Sequence, residues 1–211
     1  MKYTNSQSHV FNAKSWRAQL NYSVEWGGSA WRSLMETAVL ELLKGGGLEA
    51  AELLEIGTRY GKLACFFSLM GARVTAVDVR AEPLVAAREE ARKWKVQPRF
   101  LEYDGNLDVF PDCSFDVVFT KSVLVVVPEL EGFLRKISAK LRPGGRIIFL
   151  ENGKGGCLHV LRFLRHRSRE LSERRYFSEA EVGLVQSVFG SVVVKRKLFP
   201  PVYLFMGRKK S

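Results

Sequence analysis

Leu53-Leu54-Glu55-Ile56-Gly57-Thr58-Arg59-Tyr60-Gly61 is an apolar run that ends in an acidic residue and breaks at once into a glycine turn. Apolar residues at helical spacing follow, so the stretch reads as strand, tight turn and helix. The next apolar run, Val74-Thr75-Ala76-Val77, also ends in a carboxylate, Asp78. That carboxylate lies roughly twenty residues on, where α/β nucleotide folds place the group that grips a ribose. Glycine lets the backbone come close to a ligand, and a helix N-terminus directs free N–H groups toward the ligand's polar end.

Outward from this stretch, strand and helix patterns alternate. Strands are expected at 51–56, 73–78, 98–102, 115–120 and 145–150, with helices at 61–70, 81–94 and 129–141 between them. Leu141-Arg142-Pro143-Gly144-Gly145 ends the last of these helices, because proline cannot continue a helix and glycine turns the chain. Continuous apolar strands such as Phe115–Phe119 and Ile147–Leu150 suit burial on both faces of a parallel sheet. A helix is also expected from about Ala30 to Leu43, carrying Trp31, Leu34, Met35, Ala38, Val39 and Leu42 on one face. Ahead of it runs a polar lead-in marked by Phe11, Trp16, Tyr22 and Trp26. Past Glu151 the pattern changes: a glycine loop, then a basic, leucine-spaced segment at about 158–171. Ser178-Glu179-Ala180-Glu181 reads as a capping box opening a helix to about Phe189. Two strands, about 191–198 and 202–207, close the chain.

The expected architecture is therefore an α/β three-layer sandwich, with a mostly parallel doubly wound sheet and a C-terminal antiparallel strand pair. A single domain is expected: a helical lead-in or lid at 1–45, a core at 46–151, a basic insert at 152–177, and the closing helix and strands at 178–211. With 211 residues and 46% hydrophobic content, the chain can bury one sizeable core. No signal-peptide pattern and no membrane-length apolar run is present, which makes a cytoplasmic protein the default. Cys65, Cys113 and Cys157 have no metal-ligand spacing and read as buried free thiols. The net charge of +11, from 33 basic and 22 acidic residues, suits an anionic partner.

The pairing of Glu55-x-Gly57-x-x-x-Gly61 with Asp78 resembles the signatures of the class I S-adenosylmethionine-dependent methyltransferases. Arg59 departs from them, standing where a middle glycine is usual; its side chain must either avoid the cofactor or touch it. The resemblance implies that Asp78 takes the ribose hydroxyls, with Val79 beside it, and that Glu55, Gly57, Thr58 and Gly61 lie against the methionine half. It implies an adenine contact for Asp104, next to Gly105, and a place for Thr120 along the cofactor. The closing antiparallel pair is also usual for that family, and the likeness runs from about residue 50 to the end.

Three residues are candidates for work on the acceptor. Lys121 follows Thr120 at the end of the fourth strand, where open α/β sheets bind ligands. Val125-Val126 stands where relatives often carry Glu-His. Glu151 ends the fifth strand at the same edge and could orient or deprotonate an acceptor. His159 is a further candidate base, with His9 and His166 as others. The family likeness points to methyl transfer onto an oxygen or nitrogen of a small or carrier-linked acceptor. The basic 158–175 segment suits an anionic or lipid-linked acceptor, or contact with a membrane surface. Rival readings are an RNA methyltransferase, a nicotinamide oxidoreductase and a non-catalytic binder of S-adenosylmethionine. Neither Asn/Asp-Pro-Pro-Tyr nor Pro-Cys stands at 120–123, which argues against DNA amino-methylation and cytosine-C5 chemistry. The missing third glycine of Gly-x-Gly-x-x-Gly argues against the oxidoreductase.

Overall fold

In the computed structural model, apolar segments closed by a carboxylate or a glycine become strands. The structure describes residues 16–23, 28–44, 47–154, 176–198 and 201–210. Phe11 and Trp26 of the polar lead-in, the basic 158–171 segment, His9, His159, His166 and Cys157 lie outside the described residues. The chain divides into two compact units, residues 1–106 and 107–211.

The first unit holds helices α1 (Trp16–Ser23), α2 (Gly28–Lys44), α3 (Lys62–Leu69) and α4 (Ala81–Trp94). Its strands are β1 (Glu52–Ile56), β2 (Arg73–Asp78) and β3 (Arg99–Glu102). All three run parallel, with β2 between β1 and β3; Ile56 lies opposite Val77, and Asp78 opposite Glu102. Consecutive residues Leu53 and Leu54 point to opposite faces yet are both fully buried, so helices or other chain cover both sides of β1. α2 buries Trp31, Leu34, Met35, Ala38, Val39 and Leu42, the stripe that the sequence spacing picks out. α4 turns Leu84, Ala87 and Ala91 inward and ends at Lys95, which adopts left-handed backbone (φ 55°). Glu90, on the same buried face of α4, accepts the Trp94 indole N–H at 2.9 Å and so is not left unpaired.

The second unit holds β4 (Phe115–Lys121), α5 (Leu130–Lys140), β5 (Leu141–Asn152), α6 (Glu179–Val188), β6 (Phe189–Leu198) and β7 (Pro201–Lys209). β4 and β5 are parallel, β7 lies antiparallel to β5, and β6 antiparallel to β7. β5 begins four residues before its expected start. Leu141 already pairs with Phe115, the chain then bulges through Arg142–Gly145, and pairing resumes at Val117 with Arg146. Arg142 uses this bulge to reach Asp116 at 2.7 Å, so Asp116 braces the start of β4. The capping box at Ser178 and Glu181 is formed, and α6 starts there. Its sheet-side aromatics interlock, with Phe177 5.5 Å from Phe205 and Phe149 5.8 Å from Phe189 between ring centroids. Lys195, Arg196 and Lys197 are exposed on β6. Charge on an outer strand discourages pairing with another chain.

The cysteines do not share one environment. Cys65 is fully buried in α3; burial first, then the nearby Glu55 and Glu90, pushes its thiol up to about 12. Cys113 corrects the expectation of buried thiols. It is exposed, in a turn where it adopts φ 52°, and Lys209 Nζ lies 3.6 Å from its sulfur.

Candidate functional site

Because β1, β2 and β3 are parallel, their C-terminal ends and the loops after them gather at one edge of the first unit. The 57–61 turn closes on itself through the Gly61 N–H, which donates to the Thr58 carbonyl at 3.0 Å, and is also tied to β2. The N–H groups of Gly57 and Thr58 both donate to the Val77 carbonyl, at 2.8 and 3.0 Å. The next N–H, that of Arg59, donates to Asp78 Oδ2 at 2.9 Å. On the other side, the N–H of Arg80 donates to Asp78 Oδ1 at 3.1 Å. Tyr103 N–H donates to the Asp78 carbonyl at 3.1 Å and brings in the loop after β3. Asp78 is therefore the knot of the edge: it is buried, and it fastens all three loops.

This arrangement leaves Asp78 with capacity to bind. An ionised carboxylate offers about four lone-pair positions, of which the two backbone donors take two. The remaining two suit a pair of hydroxyl donors such as a ribose diol. It also bears on mutation. From the sequence, Asp78→Ala is expected to leave the fold intact. In the structure that change would strand two backbone N–H groups, each at a cost of about 1–3 kcal/mol if it stays buried.

Glu55 is buried under the turn, and its Oε2 accepts the Thr58 hydroxyl at 2.8 Å. Gly57 and Gly61 take left-handed backbone, φ 76° and 72°. Gly61 has a second reason to be glycine. A Cβ there would stand 2.7 Å from Ala87 Cβ and 2.7 Å from Phe100 Cζ, so α3 starts hard against α4 and β3. Arg59 occupies the middle-glycine position by adopting the conformation glycine would take, φ 53°. Its guanidinium lies 4.7 Å from the Tyr60 ring centroid, a cation–π contact. Val79 is 55% exposed immediately beyond Asp78, an apolar surface next to the carboxylate. Asp104 is exposed and accepts the N–H of Asn106 at 2.8 Å, which shapes the turn through Gly105. Tyr103, Tyr60 and Arg80 join this edge without a signal in the sequence that singled them out. Burial, and secondarily Asp78 and Asp104, pushes the Tyr103 phenol up to about 12, so it remains protonated as a donor.

The corresponding edge of the second unit is built on a buried carboxyl. Thr120 and Glu151 are both fully buried, and the Thr120 hydroxyl donates to Glu151 Oε1 at 3.0 Å. The N–H groups of Val123 and Leu124 reach the same oxygen at 3.3 and 3.2 Å. Lys121, half-buried, ends β4 directly above this contact, and Ser122 adopts φ 58° to turn the chain. Val125 is buried and Val126 is 53% exposed. Burial pushes the Glu151 carboxyl up to about 8 against the opposing pull of the hydrogen-bond donors around it. Among the described residues no group of His, Cys, Asp and Glu could hold a metal ion. No helix among them is long and apolar enough to cross a membrane.

A glycine turn anchored on two strand-end carboxylates meets its counterpart in known proteins. Residues 54–149 match the model of a family described as "Methyltransferase domain". Over residues 54–149 the chain is similar to methyltransferase domains. Its relatives include a ubiquinone biosynthesis O-methyltransferase of Aeromonas salmonicida, 35% identical over 106 residues, which are 49% of this chain and 44% of that protein. A demethylmenaquinone methyltransferase of Tropheryma whipplei is 32% identical over 100 residues, 47% of this chain and 41% of the relative. The chain thus spans about half the length, or less, of these curated relatives. Among solved structures, magnesium protoporphyrin IX methyltransferase from Synechocystis with bound SAH aligns with a TM-score of 0.67 at 17% identity, covering 96% of this chain and 98% of that one. An S-adenosylmethionine-dependent methyltransferase from Aquifex aeolicus covers 99% of this chain and 100% of its own, with a TM-score of 0.61 and 20% identity. These likenesses show an α/β fold of the kind those solved structures share.

Proposed function

We propose that the protein moves a methyl group from S-adenosylmethionine to an oxygen or nitrogen of a small organic acceptor. The observation that carries this is Asp78, a buried carboxylate held open by two backbone donors at a glycine turn. In this reading Asp78 takes the ribose diol, with Val79 under the base and Asp104 beside its amino group. Glu55, buried under the turn, is assigned to the cationic amino end of the methionine half, and Gly57 and Gly61 let the backbone approach. The cofactor supplies a methyl on sulfonium, already a strong electrophile. The chain's part is then to hold and align, and alignment of bound reactants can supply much of a rate enhancement. Lys121, at the end of β4, is assigned to an anionic group of the acceptor or cofactor, and Thr120 to the floor beneath it. His159 and the 158–175 segment are assigned to the acceptor side, on sequence alone.

An oxygen acceptor is favoured by the similarity to proteins named ubiquinone biosynthesis O-methyltransferase. Labelled S-adenosylmethionine offered with phenols, quinols, amines, anionic lipids and RNA tests the proposal. Label in a phenol or quinol supports the oxygen reading, label in an amine the nitrogen one. Label in RNA would make the +11 charge the decisive feature. Cofactor binding with no label transferred to any class would leave a binding protein.

A further inference from the structure

Glu151 is the charged residue that the sequence offers as a base at the transfer edge, and its surroundings assign it a different task. Its Oε1 takes three donors from one short stretch: the hydroxyl of Thr120 and the N–H groups of Val123 and Leu124. The residue is fully buried, and its Oε2 is sealed from solvent with no hydrogen-bond partner among the described residues. A carboxyl buried in this way, with one oxygen already taking three donors, is placed to hold the turn and not to meet an acceptor directly. The following residue works on the same turn from outside. Asn152 Nδ2 donates to Ser122 Oγ at 3.1 Å, and Ser122 N–H donates to the Leu150 carbonyl at 2.8 Å. Two neighbouring residues at the end of β5 thus hold the turn after β4 on both sides, around Ser122, whose backbone is left-handed (φ 58°).

We propose that Glu151 is a positioning residue: through Oε1 it fixes the 120–124 turn, and with it Lys121, rather than exchanging a proton with the acceptor. Its relevance to catalysis rests on the methyltransferase reading; the geometry itself does not. A single acceptor oxygen is all the turn requires of it. Glutamine supplies that oxygen at the same reach and resembles the protonated acid, whereas alanine supplies none.

Amide hydrogen exchange of the protein without cofactor tests the idea independently of any activity. Loss of the bonds to Val123 and Leu124 in Glu151→Ala should speed exchange of those two amides by about tenfold or more, the equivalent of about 1.4 kcal/mol of lost local stability. Glu151→Gln should exchange as the wild type does. If Glu151→Ala does not fold, the glutamine variant still decides, since the proposal requires wild-type protection of both amides there. Exchange in Glu151→Gln that is as fast as in an unprotected peptide would overturn it, as would an alanine variant with unchanged protection. A wild type that fails to bind S-adenosylhomocysteine would refute the methyltransferase reading and leave the exchange result standing.

Discussion

Gly61→Ala probes the closest approach at the cofactor edge. Two effects act together. An L-residue in left-handed backbone costs about 1–2 kcal/mol, and Gly61 sits at φ 72°. The added Cβ would also meet Ala87 Cβ and Phe100 Cζ at 2.7 Å, well inside van der Waals contact. Overpacking of that kind costs about 1–3 kcal/mol. Against this, alanine narrows the unfolded ensemble by about 0.4–1 kcal/mol. The net expectation is destabilisation of about 1–4 kcal/mol. Urea unfolding followed by circular dichroism measures it as a lower midpoint at unchanged slope. A variant as stable as the wild type would show that α3 does not start against α4 and β3 as closely as described, and the account of the turn would fall with it.

Two other perturbations have definite expectations. Arg59→Gly relieves a strained φ but frees the unfolded chain and gives up the contact with Tyr60, terms of about 1 kcal/mol each that nearly cancel; its unfolding midpoint should stay close to wild type, and a clear gain would mean that Arg59 is held there by strain alone. The Glu151 carboxyl sits at about 8 in the fold against 4.5 unfolded, so between those values the folded state keeps a proton that the unfolded state has released. Its contribution to stability is complete below about pH 4.5, falls as pH rises toward 8, and levels off above. Across β7, Tyr203 sits opposite Glu151 with Arg196 5.1 Å over its ring and Glu179 3.7 Å from Arg196. Thermal midpoints across this range should slope downward in the wild type and less so in Glu151→Gln; equal slopes would remove Glu151 as the source.

Much of this was legible because the determinants are local. Apolar runs closed by Glu55 or Asp78 and a glycine turn gave β1 and β2 to within a residue, and the Ser178/Glu181 box placed the start of α6. What escaped depends on residues far apart in the chain. The bond from Thr120 to Glu151 spans 31 positions, and nothing near either residue distinguishes a sealed anchor from an exposed base. The early start of β5 depends on Leu141 meeting Phe115, a pairing that the Pro143-Gly144 signal conceals. Arg59 looked like a departure from a glycine motif because the sequence shows a side chain and not a φ angle. Cys113 is exposed because it lies in a left-handed turn, which composition does not reveal.

The central claim is that Asp78 and its glycine turn hold S-adenosylmethionine, and calorimetric titration with S-adenosylhomocysteine tests it most directly. Asp78→Asn is the right partner for the wild type, since its amide keeps one oxygen for a backbone donor and removes the charge. The wild type should bind. The variant should remain folded and bind roughly tenfold to a hundredfold more weakly, the equivalent of losing a charged hydrogen bond of about 1.5–3 kcal/mol. Equal affinity in both proteins, or a wild type that binds NADH and not S-adenosylhomocysteine, would contradict the account.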